Sequence, residues 1–221
     1  GTLTGPNLDL LSTVAVAYSS LGDVPAFQST VAAALQAKSD HLTALVLQAR
    51  VRAGAKDYDG AFAILDRVLA ADSKNSGAWK LKGDVAQAKQ GGDAGMEFYR
   101  KAVEVRPEFA SAHVAIIQLL LKDQKLDEAG KQIDALKKVA PRNPQALFLG
   151  ASYAYLKKDY KASRDLLQQL HKLTQGAPLS FQLAGAVDFA TGAFASAEEN
   201  LTKALQLSPD LPAARMTLIN T

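Results

Sequence analysis

The sequence contains no cysteine and only three histidines. The first absence rules out disulfides and thiolate chemistry in this stretch, and it fits an oxidising and a reducing compartment equally well. His41, His113 and His171 are far apart and form no H-x3-H pair, so no converging set of metal ligands is in view. No apolar run is long enough to span a bilayer. Residues 1–7 read as a polar lead-in, with Gly1 a tag remnant, and no signal peptide is recognisable there; any targeting information is expected outside this stretch. Charge of one sign is scarce as well. The net charge of +3 is spread as −2 over residues 1–41, +4 over 42–143 and +1 over the remainder, which is too even for a nucleic-acid footprint. The pairs Lys137–Lys138 and Lys157–Lys158 read most simply as solvated helix ends. The segment Gly91–Gly95 looks superficially like a phosphate loop but lacks the following Lys-Ser/Thr and a preceding strand. Carboxylates are scattered, and spacing nominates no acid/base couple. No catalytic, cofactor-binding or metal-binding residue is assigned, and the chain reads as non-enzymatic.

What the sequence has is a period. Windows of 34 residues run without a gap as 8–41, 42–75, 76–109, 110–143, 144–177 and 178–211, and 212–221 begins a seventh. Position 4 reads Leu11, Leu45, Trp79, His113, Leu147, Phe181. Position 20 reads Phe27, Ala61, Gly95, Ala129, Ser163, Ala197, small in every window but the first. Position 24 reads Val31, Leu65, Tyr99, Ile133, Leu167, Leu201, and position 27 reads Ala34, Val68, Ala102, Leu136, Leu170, Ala204. The prolines obey the same frame. Pro144, Pro178 and Pro212 open windows, Pro107, Pro141 and Pro209 sit at position 32, Pro25 falls in the first turn of a second helix, and Pro6 lies in the lead-in. None interrupts a predicted helix, where it would cost about 3 kcal/mol. Asp57-Tyr58 and Asp159-Tyr160 open second helices with a capping carboxylate followed by a packing aromatic, and Phe194 takes the aromatic slot in the last window.

The window Ser76–Phe109, with Trp79, Gly83, Gly95, Tyr99, Ala102 and Pro107 at positions 4, 8, 20, 24, 27 and 32, resembles the tetratricopeptide repeat, a helix–turn–helix unit of 34 residues. Lys82 and Ala86 depart from it, where the pattern has Leu and Tyr. The resemblance implies an all-α right-handed superhelical solenoid of antiparallel helix pairs, six units plus one extra helix, forming a single solenoid over 8–221. It also implies that positions 2, 5, 9 and 12 of each first helix line a concave groove. In the first window these are Asp9, Ser12, Val16 and Ser19. The expected groove contacts are Arg50, Lys80, Asp84 and Gln87 in the middle, and Val114, Gln118, Leu121, Phe148, Tyr155, Gln182 and Phe189 toward the C-terminus. Phe148, Tyr155 and Phe189 are the expected apolar anchors, and Arg50 and Lys80 the expected polar contacts. The carboxylate clamp of chaperone adaptors is not matched: Lys80 is followed by Asp84 at position 9, and the next window has Ala115 at position 6.

A narrower likeness lies in LKGD (81–84), IDALKKVAPRNPQ (133–145), and the AGAVDF (184–189) and NLTKALQLSPDLPAAR (200–215) strings. These resemble the repeat lipoprotein associated with the bacterial exosortase/PEP-CTERM sorting system. That resemblance implies a scaffold in the bacterial cell envelope or periplasm, lipid-anchored through an upstream cysteine, with a protein or peptide partner. No cofactor is expected, no stretch is basic enough for nucleic acid, and no run is long enough for membrane insertion by this stretch. A scaffold of exopolysaccharide synthesis or export, a substrate-recruiting arm of an enzyme, and a cytoplasmic location are the competing readings. Nothing in the sequence fixes an oligomeric state.

Overall fold

The computed structural model describes residues 8–221, except the side chains of Leu8, Asp9, Leu10, Ser12, Ser19 and Ser20. The lead-in and the groove residues Asp9, Ser12 and Ser19 therefore lie outside what is described. The described residues form thirteen α-helices and no strand. The chain divides into two compact units, one ending at Ala112 and the other beginning at His113.

The first unit pairs α1 (Leu8–Leu21) with α2 (Val24–Ala37), α3 (Leu42–Gly54) with α4 (Tyr58–Ala71), and α5 (Ser76–Gln90) with α6 (Met96–Val105). The second begins within α7 (Ala110–Lys122). It continues through α8 (Leu126–Val139), α9 (Pro144–Leu156) with α10 (Tyr160–Leu173), α11 (Pro178–Ala190) with α12 (Phe194–Leu207), and ends on α13 (Pro212–Ile219). Each first helix begins at window position 1, so Pro144, Pro178 and Pro212 stand where a missing N–H costs nothing.

Burial explains the period. Positions 20, 24 and 27 are buried in all six windows. Position 8, which faces position 20 across each helix pair, is buried too: Ala15, Ala49, Gly83, Ile117, Ala151 and Gly185. Small residues there, in every window but the fourth, let the two backbones approach. A Cβ on Gly95 would fall 2.7 Å from the carbonyl oxygen of Gly83. In the fifth window Ser163 Oγ donates to the carbonyl of Ala151 across the same contact, at 2.9 Å, which satisfies a hydroxyl that is fully buried. His113 fills its packing slot as the spacing predicts, 4% exposed with Nδ1 3.0 Å from Gln132 Oε1.

The turn inside each pair places position 15 at positive φ. Gly22 and Gly192 take it in two windows, and Lys56, Gln124 and Lys158 in three others. The second helix then starts at position 17, capped by Asp23, Asp57 or Asp159, whose carboxylates accept from the N–H of Ala26, Gly60 and Ala162. The third window differs. There α5 runs on to Gln90, Gly91 and Gly92 take the positive φ values, and α6 starts four residues late at Met96. The stretch Gly91–Gly95 is the helix-to-helix turn read from the sequence.

Candidate functional site

The first helices carry the residues expected to face a partner, and the two units use them differently. In the first unit Arg50 is exposed and makes no ion pair among the described residues. Lys80 and Asp84 pair with each other, Nζ to Oδ2 at 2.7 Å, and Tyr99 OH donates to Asp84 Oδ1 at 3.0 Å. Burial first, and the Asp84 carboxylate second, hold the Tyr99 phenol well above its ordinary pKa, so it remains a donor at any physiological pH. Gln87 closes the glycine turn, donating through Nε2 to Gly92 O at 2.6 Å and accepting from Gly95 N–H at 3.3 Å. Asp84 and Gln87 thus spend their polar groups inside the unit.

Lys82, a departure from the repeat pattern, is explained by its surroundings. Its ammonium lies 5.9, 5.8 and 5.2 Å from the rings of Phe62, Trp79 and Phe98 and pairs with Asp66. A long apolar stem with a cation among aromatic faces replaces the leucine of the pattern.

In the second unit two expected groove residues belong to the interior. Val114 and Leu121 are 5% and 8% exposed, so neither offers open surface. Helical spacing alone does not separate a wall position from a core position when both are apolar. Tyr155 is half-buried and packs on Tyr160, ring centroids 5.8 Å apart. Phe189, also half-buried, meets Phe194 edge-on at 5.7 Å. Gln182 is half-buried on α11.

Phe148 and Gln118 are brought together. They line one cleft of about 380 Å³ whose walls come from α7, α9, the end of α10, the following loop and the start of α11. Phe148, Leu149, Leu170 and Leu179 supply its apolar surface, and no ionisable side chain lines it. Leu179 is 53% exposed, a large apolar residue held at the mouth. The half-buried Phe148 rests on the cluster of Ala151, Leu167, Leu170 and Val187. The loop contribution, Thr174, Gly176 and Ala177, was not among the expected contacts. Gly176 has φ +79°, and a Cβ there would fall 2.5 Å from the Phe181 ring, so this tight turn requires glycine. The sequence signal was the Gly-Ala-Pro string before α11, outside the first-helix positions.

A second, polar cleft of about 290 Å³ lies among α10, α11 and α12. Asp188, 8% exposed, accepts from Arg164 at 2.9 Å and from Asn200 Nδ2 at 2.9 Å. Its oxygens are satisfied, which makes it a latch between neighbouring repeats. His171 borders the same cleft. It stands in the last turn of α10. Its ring packs, tilted, against Phe181 with centroids 4.4 Å apart, Nε2 lies 3.0 Å from Ser180 Oγ, and desolvation followed by Lys203 lowers its pKa, favouring the neutral imidazole. Among the described residues no group of three or more His, Asp or Glu could hold a metal ion, and no helix is long and apolar enough to cross a membrane.

A family model described as tetratricopeptide repeat matches residues 34–220. No curated protein matches the chain significantly. Solved structures share the fold. PilF of Pseudomonas aeruginosa is 14% identical over 97% of both chains, with a TM-score of 0.80. PilW, a widely conserved type IV pilus biogenesis factor, is 14% identical over 97% of this chain and 100% of that one, TM-score 0.77. YrrB, a repeat protein with an unusual peptide-binding site, is 17% identical over 84% of this chain and 96% of that one, TM-score 0.63.

Proposed function

Because the chain belongs to the tetratricopeptide repeat family, we propose that it is a protein-interaction scaffold which docks a peptide or helix of a partner on the first-helix wall of its second unit. The observation that carries this reading is the cleft around Phe148: open, apolar, free of ionisable lining, and with Leu179 exposed at its mouth. An isolated apolar recess of this kind on a wall of half-buried side chains suits a single apolar anchor. In the first unit Asp84 and Gln87 serve the fold.

The test is site-specific photo-crosslinking in cells from positions 148 and 179, with Lys161 on α10 as the control position. A discrete polypeptide captured from the cleft positions and not from Lys161 supports docking there. Equal capture from all three, or capture from Lys161 alone, moves the binding face elsewhere.

The partner's pathway is a finer proposal. The strings at 81–84, 133–145, 184–189 and 200–215 support an envelope scaffold of the exosortase/PEP-CTERM kind. The shared fold with a pilus biogenesis factor is compatible with an envelope setting. Fractionation of cells carrying the native gene tests it: recovery of the protein in the cytoplasmic fraction alone would remove the envelope reading.

A further inference from the structure

The cleft of the second unit holds no charge, but the chain that builds it is one-sided. No carboxylate occurs from His113 to Lys122, from Ala135 to Lys158, or from Leu166 to Val187, and these three stretches contribute every lining residue of the cleft. The same stretches carry Lys138, Arg142 and Lys172, all exposed and none in an ion pair among the described residues. Arg142 stands two residues before the lining Pro144, and Lys172 two residues before the lining Thr174. Lys138 and Lys172 occupy the same window position, 34 residues apart. Elsewhere several cations are answered internally, as in Lys80–Asp84, Lys89–Asp59 and Arg164–Asp188. The first turns of α9 and α11, which border the cleft, add the positive ends of two helix dipoles on the same side.

We propose that the occupant of the cleft is a peptide whose apolar anchor is flanked by carboxylates, the anchor seated against Phe148 and Leu179 and the carboxylates facing Arg142 and Lys172. This deepens the docking reading above and rests on it. Charge complementarity selects the occupant: an acidic flank gains from an unpaired basic rim, while a basic flank meets repulsion with no carboxylate among the lining residues to relieve it. A bare polyanion fits less well, because it leaves the apolar surface uncovered. Neither Arg142 nor Lys172 occupies a clamp position of the repeat, so this chemistry is additional to the first-helix wall.

The experiment pans a displayed library of random 12-residue peptides on the full chain at low salt, then measures selected peptides by fluorescence polarisation. Enriched sequences are expected to place Asp or Glu within three residues of Leu, Phe or Ile. Their affinity is expected to fall about tenfold in Arg142→Glu/Lys172→Glu and to weaken with salt. The milder Arg142→Gln/Lys172→Gln should show a smaller loss in the same direction, which guards against misfolding of the reversal variant. Apolar peptides that need Phe148 but show no acidic preference, and no response to either double variant, would overturn this proposal and leave the docking reading standing. Peptides indifferent to Phe148→Ala and Leu179→Ser, or no enrichment at all, would remove both. Binding of heparin with the same rim dependence and no Phe148 dependence would show a polyanion surface and overturn the peptide.

Discussion

Positions 5 and 9 of the first helix hold opposite chemistry in the third window, which lies in the first unit, and the fifth, which lies in the second. In the third window they are Lys80 and Asp84, which neutralise each other and anchor Tyr99. In the fifth they are Phe148 and Ser152; the serine hydroxyl turns back to the Phe148 carbonyl at 2.9 Å, and the phenylalanine is left lining a cleft. The repeat therefore sets where a side chain sits, and the residue placed there decides whether the wall is used up internally or remains available to another molecule. The two units share a buried frame and differ at the surface, so changes to the frame should hurt both alike and changes to the wall should not.

The largest effect is expected at position 24. Leu65 and Leu201 are both fully buried. Leu65→Ala and Leu201→Ala should each cost about 2–5 kcal/mol by chemical denaturation. Because repeats contact mainly their neighbours, hydrogen exchange should show the loss concentrated in α3–α4 for the first and α11–α12 for the second. Uniform loss across all helices in either variant would mean that the frame is not local. The glycine contacts come next and separate the units. Gly95→Ala puts a methyl 2.7 Å from a backbone oxygen, which cannot yield without moving a helix. Gly185→Ala meets the Leu201 side chain at 2.5 Å, and its nearest backbone atom, the Ala197 oxygen, is farther away at 3.3 Å. Gly95→Ala should cost about 1–3 kcal/mol and Gly185→Ala less; the reverse order would place the tighter helix contact in the second unit.

At the wall, Phe148→Ala should weaken a docked peptide by about tenfold or more, whereas Lys80→Ala should leave it unchanged. Equal losses would erase the distinction between the walls. His171 gives the second unit a pH response. Its folded pKa lies below the ordinary value of about 6.5, so the unfolded chain binds the proton more readily. The stability it contributes is complete above about pH 6.5 and is lost as pH falls from there through the lowered folded pKa. Lys203, which faces the ring from α12 and lies 4.5 Å from the centre of the Phe181 ring, adds to the penalty of a second cation. Urea midpoints at pH 7.5 and 5.5 should differ less in His171→Gln than in the native chain.

Much of the frame was legible because it rests on period and side-chain volume. Small residues at position 20, apolar ones at 24 and 27, and prolines at helix starts each have a steric reason that survives without coordinates. The wall was only partly legible. Val114 and Leu121 have the spacing of wall residues and turned out buried, since an apolar side chain carries no mark of which neighbour covers it. Lys82 looked like a defect until the rings of Phe62, Trp79 and Phe98 gathered around it from three helices. The cleft needed Thr174, Gly176 and Ala177 from a loop, and no helical periodicity reaches a loop.

The smallest expected effect concerns the turns, where the two units agree again. Lys56 and Lys158 hold φ +62° at position 15, the place that Gly22 and Gly192 take in other windows. An L-residue there carries a steric cost of roughly 1–2 kcal/mol from Cβ against the following carbonyl. Glycine removes that cost but adds about 0.5–1 kcal/mol of chain entropy in the unfolded state. The balance favours Lys56→Gly and Lys158→Gly by up to about 1 kcal/mol each, visible as a small rise in Tm, and Gly192→Ala should shift in the opposite direction. Additive gains in the double variant are expected because the turns lie in different units and share no partner. A loss in either lysine variant would show that its side chain, and not the backbone, stabilises that turn.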